Sequence, residues 1–188
     1  YGMGLTVDTK YDIPMVGHTG GTIGYLSEMF WLPDHNVGVV ILTNADSGGY
    51  ILDPFKRKLL ELLFDGKHEA HNDVDVAAKA LYKRLADDRK LLIIPPDKNE
   101  TSKLAAAYSS AALGELAVSN SGNSTTFDFG EWKTPVASRK NPDGTVSFVT
   151  IVPGFSGLEF VAGNADGKRT LTFRDPQHEY VLQERSVD

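Results

Sequence analysis

The hydrophobic pattern changes character twice along the chain. From Met3 to Asp8 and again from Tyr25 to Leu32, short apolar stretches carry the alternation of strands, and Pro33-Asp34-His35-Asn36 between runs reads as a tight turn. The next run, Val37-Gly38-Val39-Val40-Ile41-Leu42-Thr43-Asn44, is almost wholly apolar. A continuous run of that kind predicts a strand covered on both faces, inside a helix-flanked sheet and away from its edge. The period then lengthens. Pro54–Phe64 is predicted to be helical, with Asp53 as N-cap, Pro54 at the first helical position, Phe55, Leu59, Leu62 and Leu63 along one side, and Gly66 ending it. A second helix is predicted over Asp75–Arg89, with Val76, Leu81 and Leu85 apolar. Pro95-Pro96 forbids helix and marks a linker, which sets a domain boundary near 95–102.

Beyond the linker the pattern returns to short strands. They are predicted at Gly114–Val118, Thr125–Phe129, Pro135–Arg139, Val146–Val152, Leu158–Val161, Arg169–Arg174 and Tyr180–Glu184. Turn signals such as Asn141-Pro142-Asp143-Gly144 and Asn164-Ala165-Asp166-Gly167 separate them. Seven or eight short strands at this spacing predict a small antiparallel barrel or sandwich.

Charge refines this division. The total is −6, from 19 basic and 25 acidic residues. Residues 1–46 hold one basic residue against five acids, residues 47–103 eleven against ten, and residues 104–188 seven against ten. An acidic chain of this kind lacks the basic surface that phosphate neutralisation needs, so no nucleic-acid partner is expected. No stretch approaches the roughly 20 apolar residues of a membrane span. With no cysteine, disulfide scaffolds, Cys-ligated zinc and thiol nucleophiles are excluded. No cofactor and no metal site is expected. The opening Tyr1-Gly2-Met3-Gly4-Leu5 has neither initiator Met nor signal-like regions and reads as an internal starting point.

The most informative chemistry lies in Val16-Gly17-His18-Thr19-Gly20-Gly21-Thr22-Ile23-Gly24-Tyr25. Glycines at 20 and 21 let a ligand approach the backbone, whose N–H groups can then serve as donors to a developing oxyanion, and His18 can position a substrate group. A plainer reading is that the glycines serve a β-bulge and His18 is an ordinary strand residue. Other motif-like runs are read as structural. Asp128-Phe129-Gly130 reads as strand and turn, Gly163–Lys168 as a hairpin, and His68-Glu69-Ala70-His71 as a polar linker lacking metal-ligand spacing. His35 and His178 fall in solvated turns, and Trp31 and Trp132 read as core or barrel-mouth residues.

Residues 1–46, from Tyr-Gly-Met-Gly-Leu through Gly-His-Thr-Gly-Gly-Thr-Ile-Gly-Tyr to Val-Val-Ile-Leu-Thr-Asn-Ala-Asp, resemble the C-terminal strands of the serine β-lactamase and penicillin-binding-protein-like hydrolases. The match is to their class C, D-aminopeptidase and esterase branch of peptidase S12 type. His18-Thr19-Gly20 matches the Lys-Thr-Gly or His-x-Gly triplet of that family, and the helix at Pro54–Phe64 resembles its C-terminal helix. The resemblance covers roughly the first 65 residues. From about 100 on, the chain is similar to the lipocalin-like barrel appended to some members, on architecture and on the Phe-Asp-Phe-Gly-Glu-Trp run at 127–132. It implies that His18 contacts substrate or supports the catalytic network, that Thr19 and Gly20 bind substrate with the Thr19 hydroxyl facing the cleft, and that Gly21 supplies an oxyanion-hole N–H. His in place of Lys leans toward peptidase or esterase action. No serine is followed three positions on by Lys, and no Tyr two positions on by Asn, so the family's Ser-x-x-Lys nucleophile and Tyr-x-Asn element are missing from this chain.

The fold expected is therefore α+β. Residues 1–70 would be the C-terminal strands and helix of a β-lactamase-like α/β sheet, 71–100 a helical connector and linker, and 101–188 a small antiparallel lipocalin-like barrel. The function expected is that of the C-terminal portion of a serine hydrolase cleaving amide, peptide or ester bonds through an acyl-enzyme, inactive alone. The expected partners are an N-terminal segment bearing Ser-x-x-Lys, or a second copy, and a small peptide, amide or ester substrate. The resemblance favours a periplasmic or extracellular location. The alternative is a ligand-binding or regulatory barrel module without catalysis, which the packing of Phe127, Phe129, Phe148, Phe160 and Phe173 would test.

Overall fold

The computed structural model describes residues 1–22 and 24–185; Ile23 of the glycine run and the last three residues of the barrel segment lie outside the described residues. The chain is α+β and divides into two compact units, Tyr1–Leu85 and Ala86–Asp188.

The first unit is built on a four-stranded antiparallel sheet in the order β1-β2-β3-β4, with β1 Thr6–Asp8, β2 Met15–Thr22, β3 Tyr25–Leu32 and β4 Val37–Thr43. A 3-10 turn at Pro33–His35, closed by Asn36 in the left-handed region, carries β3 into β4. Alternation in β3 is strict from Glu28 on. Glu28, Phe30 and Leu32 are buried, whereas Tyr25, Met29 and Trp31 face away from them and stay exposed. Met15, Phe30, Leu32 and Leu60 form the core of this unit, with Val37, Val39, Ile41 and Leu59 packed against it.

β4 does not sit where its apolar run suggested. It is an edge strand, and its residues alternate between half-buried and exposed, with Val40 at 67% and Leu42 at 78% exposure. The core lies on one side only, so Val39 and Ile41 are covered and their neighbours are not.

The first helix, α1 Gly49–Leu63, begins five residues before the position expected from Asp53 and encloses Pro54. It continues directly from a 3-10 turn at Asp46–Gly48, and close contact with the end of β4 favours glycine at 48, where a Cβ would collide with the Thr43 side chain. Leu60 and Glu61 are buried, whereas Phe55, Leu62 and Leu63, expected along one side of the helix, are exposed. The helix ends in a Schellman-type turn, with Asp65 at positive φ and the Gly66 N–H donating to the Glu61 carbonyl at 2.9 Å. The second helix, α2 Ala70–Lys90, starts five residues earlier than predicted, and Val76 and Leu85 are exposed. No helix among the described residues is long and apolar enough to cross a membrane.

The second unit is a closed eight-stranded antiparallel barrel. After a short helix α3 Lys98–Thr101, it runs β5 Ala107–Ser110, β6 Gly114–Ser121, β7 Ser124–Asp128, β8 Lys133–Lys140, β9 Val146–Thr150, β10 Glu159–Ala165, β11 Lys168–Arg174 and β12 Glu179–Glu184. Each strand pairs with the next, and β12 returns to β5, which leaves no open edge. Seven of these strands overlap those expected, and β5 is the addition. Tyr108, Leu116, Phe127, Val136, Phe148, Phe160, Leu171 and Leu182 fill the interior. Phe129 and Phe173 pack against that core, and Trp132 stacks between Phe129 and Phe155 at centroid distances of 4.5 and 4.7 Å.

Candidate functional site

The candidate residues stand in the middle and latter half of β2. The β2–β3 ladder runs in unbroken register from Val16↔Trp31 through His18↔Met29, Thr19↔Glu28, Gly20↔Ser27 and Gly21↔Leu26 to Thr22↔Tyr25. The glycines therefore do not form a bulge over this span. They permit close packing on β3, as a Cβ on Gly20 would stand 2.7 Å from Ser27 Oγ and one on Gly21 2.9 Å from Leu26 Cδ2.

On its other edge, β2 pairs with β1 only at Met15, Val16 and Gly17. From His18 onward, no strand among the described residues is paired to that edge. Successive N–H groups of a strand point alternately to its two edges, so one of the neighbouring Gly20 and Gly21 N–H groups is directed to the unpaired one. His18, Thr19, Gly20 and Gly21 are all exposed.

Alternation separates His18 from Thr19. Through the register, His18 shares a face with Met29 and Val40, the uncovered face of the sheet, while Thr19 shares the opposite face with Glu28. Both residues nevertheless border a concavity of about 260 Å³ with Asp8, Phe30 and Lys56. The Tyr1 ring lies 6.2 Å from that of His18, tilted by 54°.

The concavity contains a pair that sequence reasoning missed. Glu28, 5% exposed, is ion-paired with Lys56 Nζ from α1, and that ammonium lies 5.5 Å above the Phe30 ring. Asp53 stands 3.8 Å from the same nitrogen. A charge at an inward position of β3 was the available signal, because an acid on a buried face needs a cation or several donors. Its partner lies on a different element, and no local spacing rule connects them.

Beside this site, Glu61 joins the two helices. Its Oε1 accepts the N–H groups of Glu69 and Ala70 at 2.8 and 2.7 Å, satisfying donors at the start of α2. Burial raises the proton affinity of this carboxyl, but the two backbone donors and Lys58 outweigh it and hold Glu61 below its ordinary value. Arg57 lies 3.4 Å from Glu61 and bonds Asp73 at 2.7 Å and Glu69, which raises its own pKa through the Asp73 bond first. His68 lies within 4.0 Å of Glu61, and among the described residues no group of three or more His, Asp or Glu is placed to hold a metal ion.

Of the runs read as structural, His68–His71 is not wholly a polar linker, since α2 begins at Ala70, which is buried; the others lie in turns or ion pairs. Asp128 accepts the Gly130 N–H and pairs with Lys133 at 2.8 Å; the bond to Lys133, then that to Gly130, holds its carboxyl below the usual range. Asp166 and Gly167, both at positive φ, turn β10 into β11. His35 is exposed with its ring 4.7 Å from Phe64, and His178 is exposed beside Asp175.

No family model matches the chain, and no curated protein is matched by its sequence. Among solved structures, it is similar to the octameric penicillin-binding protein homologue from Pyrococcus abyssi, with 18% sequence identity and a TM-score of 0.34. The similarity covers 98% of this chain and 36% of that one, so the chain spans about a third of that protein's length.

Proposed function

We propose that this chain is the C-terminal portion of a β-lactamase-like serine hydrolase, acting on amide, peptide or ester bonds and completed by a segment that carries the Ser-x-x-Lys nucleophile. The observation that carries the reading is His18 on the uncovered face of an antiparallel sheet, beside an unpaired strand edge. An extended substrate can add to such an edge through main-chain hydrogen bonds, and an N–H directed to it can stabilise an oxyanion. Tyr25, Met29, Trp31, Val40 and Leu42 are exposed on the same face. A contiguous apolar sheet face of this kind favours association, at about 25 cal/mol per Å² covered. In this reading the nucleophile-bearing segment covers that face and brings its serine to His18. The barrel is the appended lipocalin-like module.

The test is hydrolysis of a D-amino-acid p-nitroanilide and a p-nitrophenyl ester by the chain alone and by the chain joined to a Ser-x-x-Lys-bearing N-terminal half. Turnover is expected only from the joined protein, with His18→Ala lowering kcat/KM by about 100-fold. Turnover by the isolated chain, or a joined enzyme indifferent to His18→Ala, would sink the reading.

A further inference from the structure

The barrel closes on itself and leaves no strand edge, whereas the sheet of the first unit keeps two among the described residues. That of β2 is occupied by β1 at Met15, Val16 and Gly17, so only its last residues are open. That of β4 is open along all of Val37–Thr43. Natural edge strands are blunted by lysine, by proline, by a bulge or by brevity. Val37-Gly38-Val39-Val40-Ile41-Leu42-Thr43 carries no charge and no proline, and its ladder with β3 runs unbroken from Leu32↔Val37 to Leu26↔Thr43.

The direction of its hydrogen-bonding groups follows from one side-chain contact. Thr43 Oγ1 donates to the Leu26 carbonyl at 3.2 Å, so that carbonyl is turned toward β4, and Leu26↔Thr43 is a hydrogen-bonded pair of the ladder. Alternation then turns the N–H and C=O of Val39 and Ile41 toward β3 and those of Gly38, Val40 and Leu42 outward. The side chains of Val40 and Leu42 are both largely exposed, on the uncovered face.

Parity selects the partner. In an antiparallel pair, outward residues must oppose outward residues. A second copy of β4, related by a two-fold axis at Val40, satisfies this at every position. Val40 then opposes its own counterpart, and Gly38 and Leu42 oppose each other twice, so that each Leu42 meets a position without a side chain. These three pairs exchange six main-chain hydrogen bonds, Val39 opposes Ile41 on the other face, and no like charges meet.

We propose that β4 is a dimerisation edge, at which two copies of this chain pair antiparallel about Val40 and join their sheets into one of eight strands. The contact uses the β4 edge of both copies, so it closes on two and does not propagate. It leaves the uncovered face and His18 open and does not rest on the hydrolase reading.

Sedimentation velocity of the full chain, from about 1 µM to about 0.5 mM, tests it. A one-strand contact is at the small end of stable interfaces, so a reversible monomer–dimer equilibrium with a micromolar Kd is expected. Val40→Pro removes an N–H that the β3 ladder does not use and with it both central hydrogen bonds of the dimer, and should raise Kd about 100-fold. Val40→Lys and Val40→Glu, at a largely exposed side chain, should each raise Kd about tenfold. An equimolar mixture of those two should recover most of the wild-type affinity, because Lys then opposes Glu at the axis. Met29→Lys, on the same face but on the inner strand β3, should dimerise as wild type. Trp31 fluorescence reports whether the sheet of each variant is folded, and the charged pair carries the test if Val40→Pro unfolds it. A chain that stays monomeric, a folded Val40→Pro that dimerises as wild type, or a mixture no tighter than its components would each overturn the proposal. So would a Met29→Lys as damaging as Val40→Pro, which would mean contact through the faces.

Discussion

Gly17 shows how a glycine next to a candidate site can serve packing. A Cβ at this position would overlap the Met29 carbonyl oxygen and stand 2.8 Å from Phe30 Cβ, and neither backbone can yield without breaking the β2–β3 ladder. Gly38 is a control on the same sheet, since its nearest neighbour would be Trp31 Cβ at 4.0 Å. Gly17→Ala is therefore expected to cost about 1–3 kcal/mol through overpacking, while Gly38→Ala should be neutral or stabilising by about 0.5 kcal/mol. Urea midpoints of the two variants check this, and equal midpoints would remove close packing as the reason for Gly17. The comparison also explains what was legible here. A glycine run at a strand announces close approach, but only the register says whether the approaching group is a ligand or the next strand. His18 was legible as a strand residue beside such a run. The Glu28–Lys56 pair was not, because two elements distant in sequence bring its charges together.

At the scale of elements, the junction of α1 and α2 rests on one carboxylate. Glu61 Oε1 accepts two backbone N–H groups, with Arg57 and Lys58 on α1 and His68 on the connecting turn facing the same carboxyl. Its folded pKa is below the ordinary value of 4.5, so its stabilising contribution is fully present above the unfolded value and lost as pH falls through the folded one. Glu61→Gln keeps an acceptor oxygen and removes the charge. The difference in urea midpoint between wild type and this variant should be constant near neutrality and shrink as pH drops below about 5. A difference that is flat down to pH 3 would mean that shape rather than charge holds the junction. The early start of α2 follows from this tertiary contact, which sequence periodicity does not contain. In β4 the opposite error arose, since an unbroken apolar run gives the same pattern whether one face is covered or two, and only the one-sided core of Met15, Phe30, Leu32 and Leu60 decides. β5 was hidden in an alanine-rich stretch, Ala105 to Ala112, where small residues give no alternation. The other barrel strands were legible because Asn, Asp, Gly and Pro turns punctuate them.

The molecule as a whole has two separate cores, one of Met15, Phe30, Leu32 and Leu60, the other inside the barrel. The barrel core is the larger and is closed on itself, so its stability should respond to its own residues. Phe148 is fully buried against Phe127, and truncating it to Ala is expected to cost about 3–5 kcal/mol. The two tryptophans allow the units to be followed separately, since Trp31 lies in the sheet and Trp132 in the stack with Phe129 and Phe155. In a Trp31→Phe background, Trp132 fluorescence reports the barrel, and Phe148→Ala should move that transition to lower urea. Phe30→Ala, in the core of the sheet, should leave it in place. With Trp132→Phe as background and Trp31 as reporter, the responses should exchange. If either truncation moves both transitions equally, the two cores unfold as one cooperative unit and the division at Leu85 is geometric only.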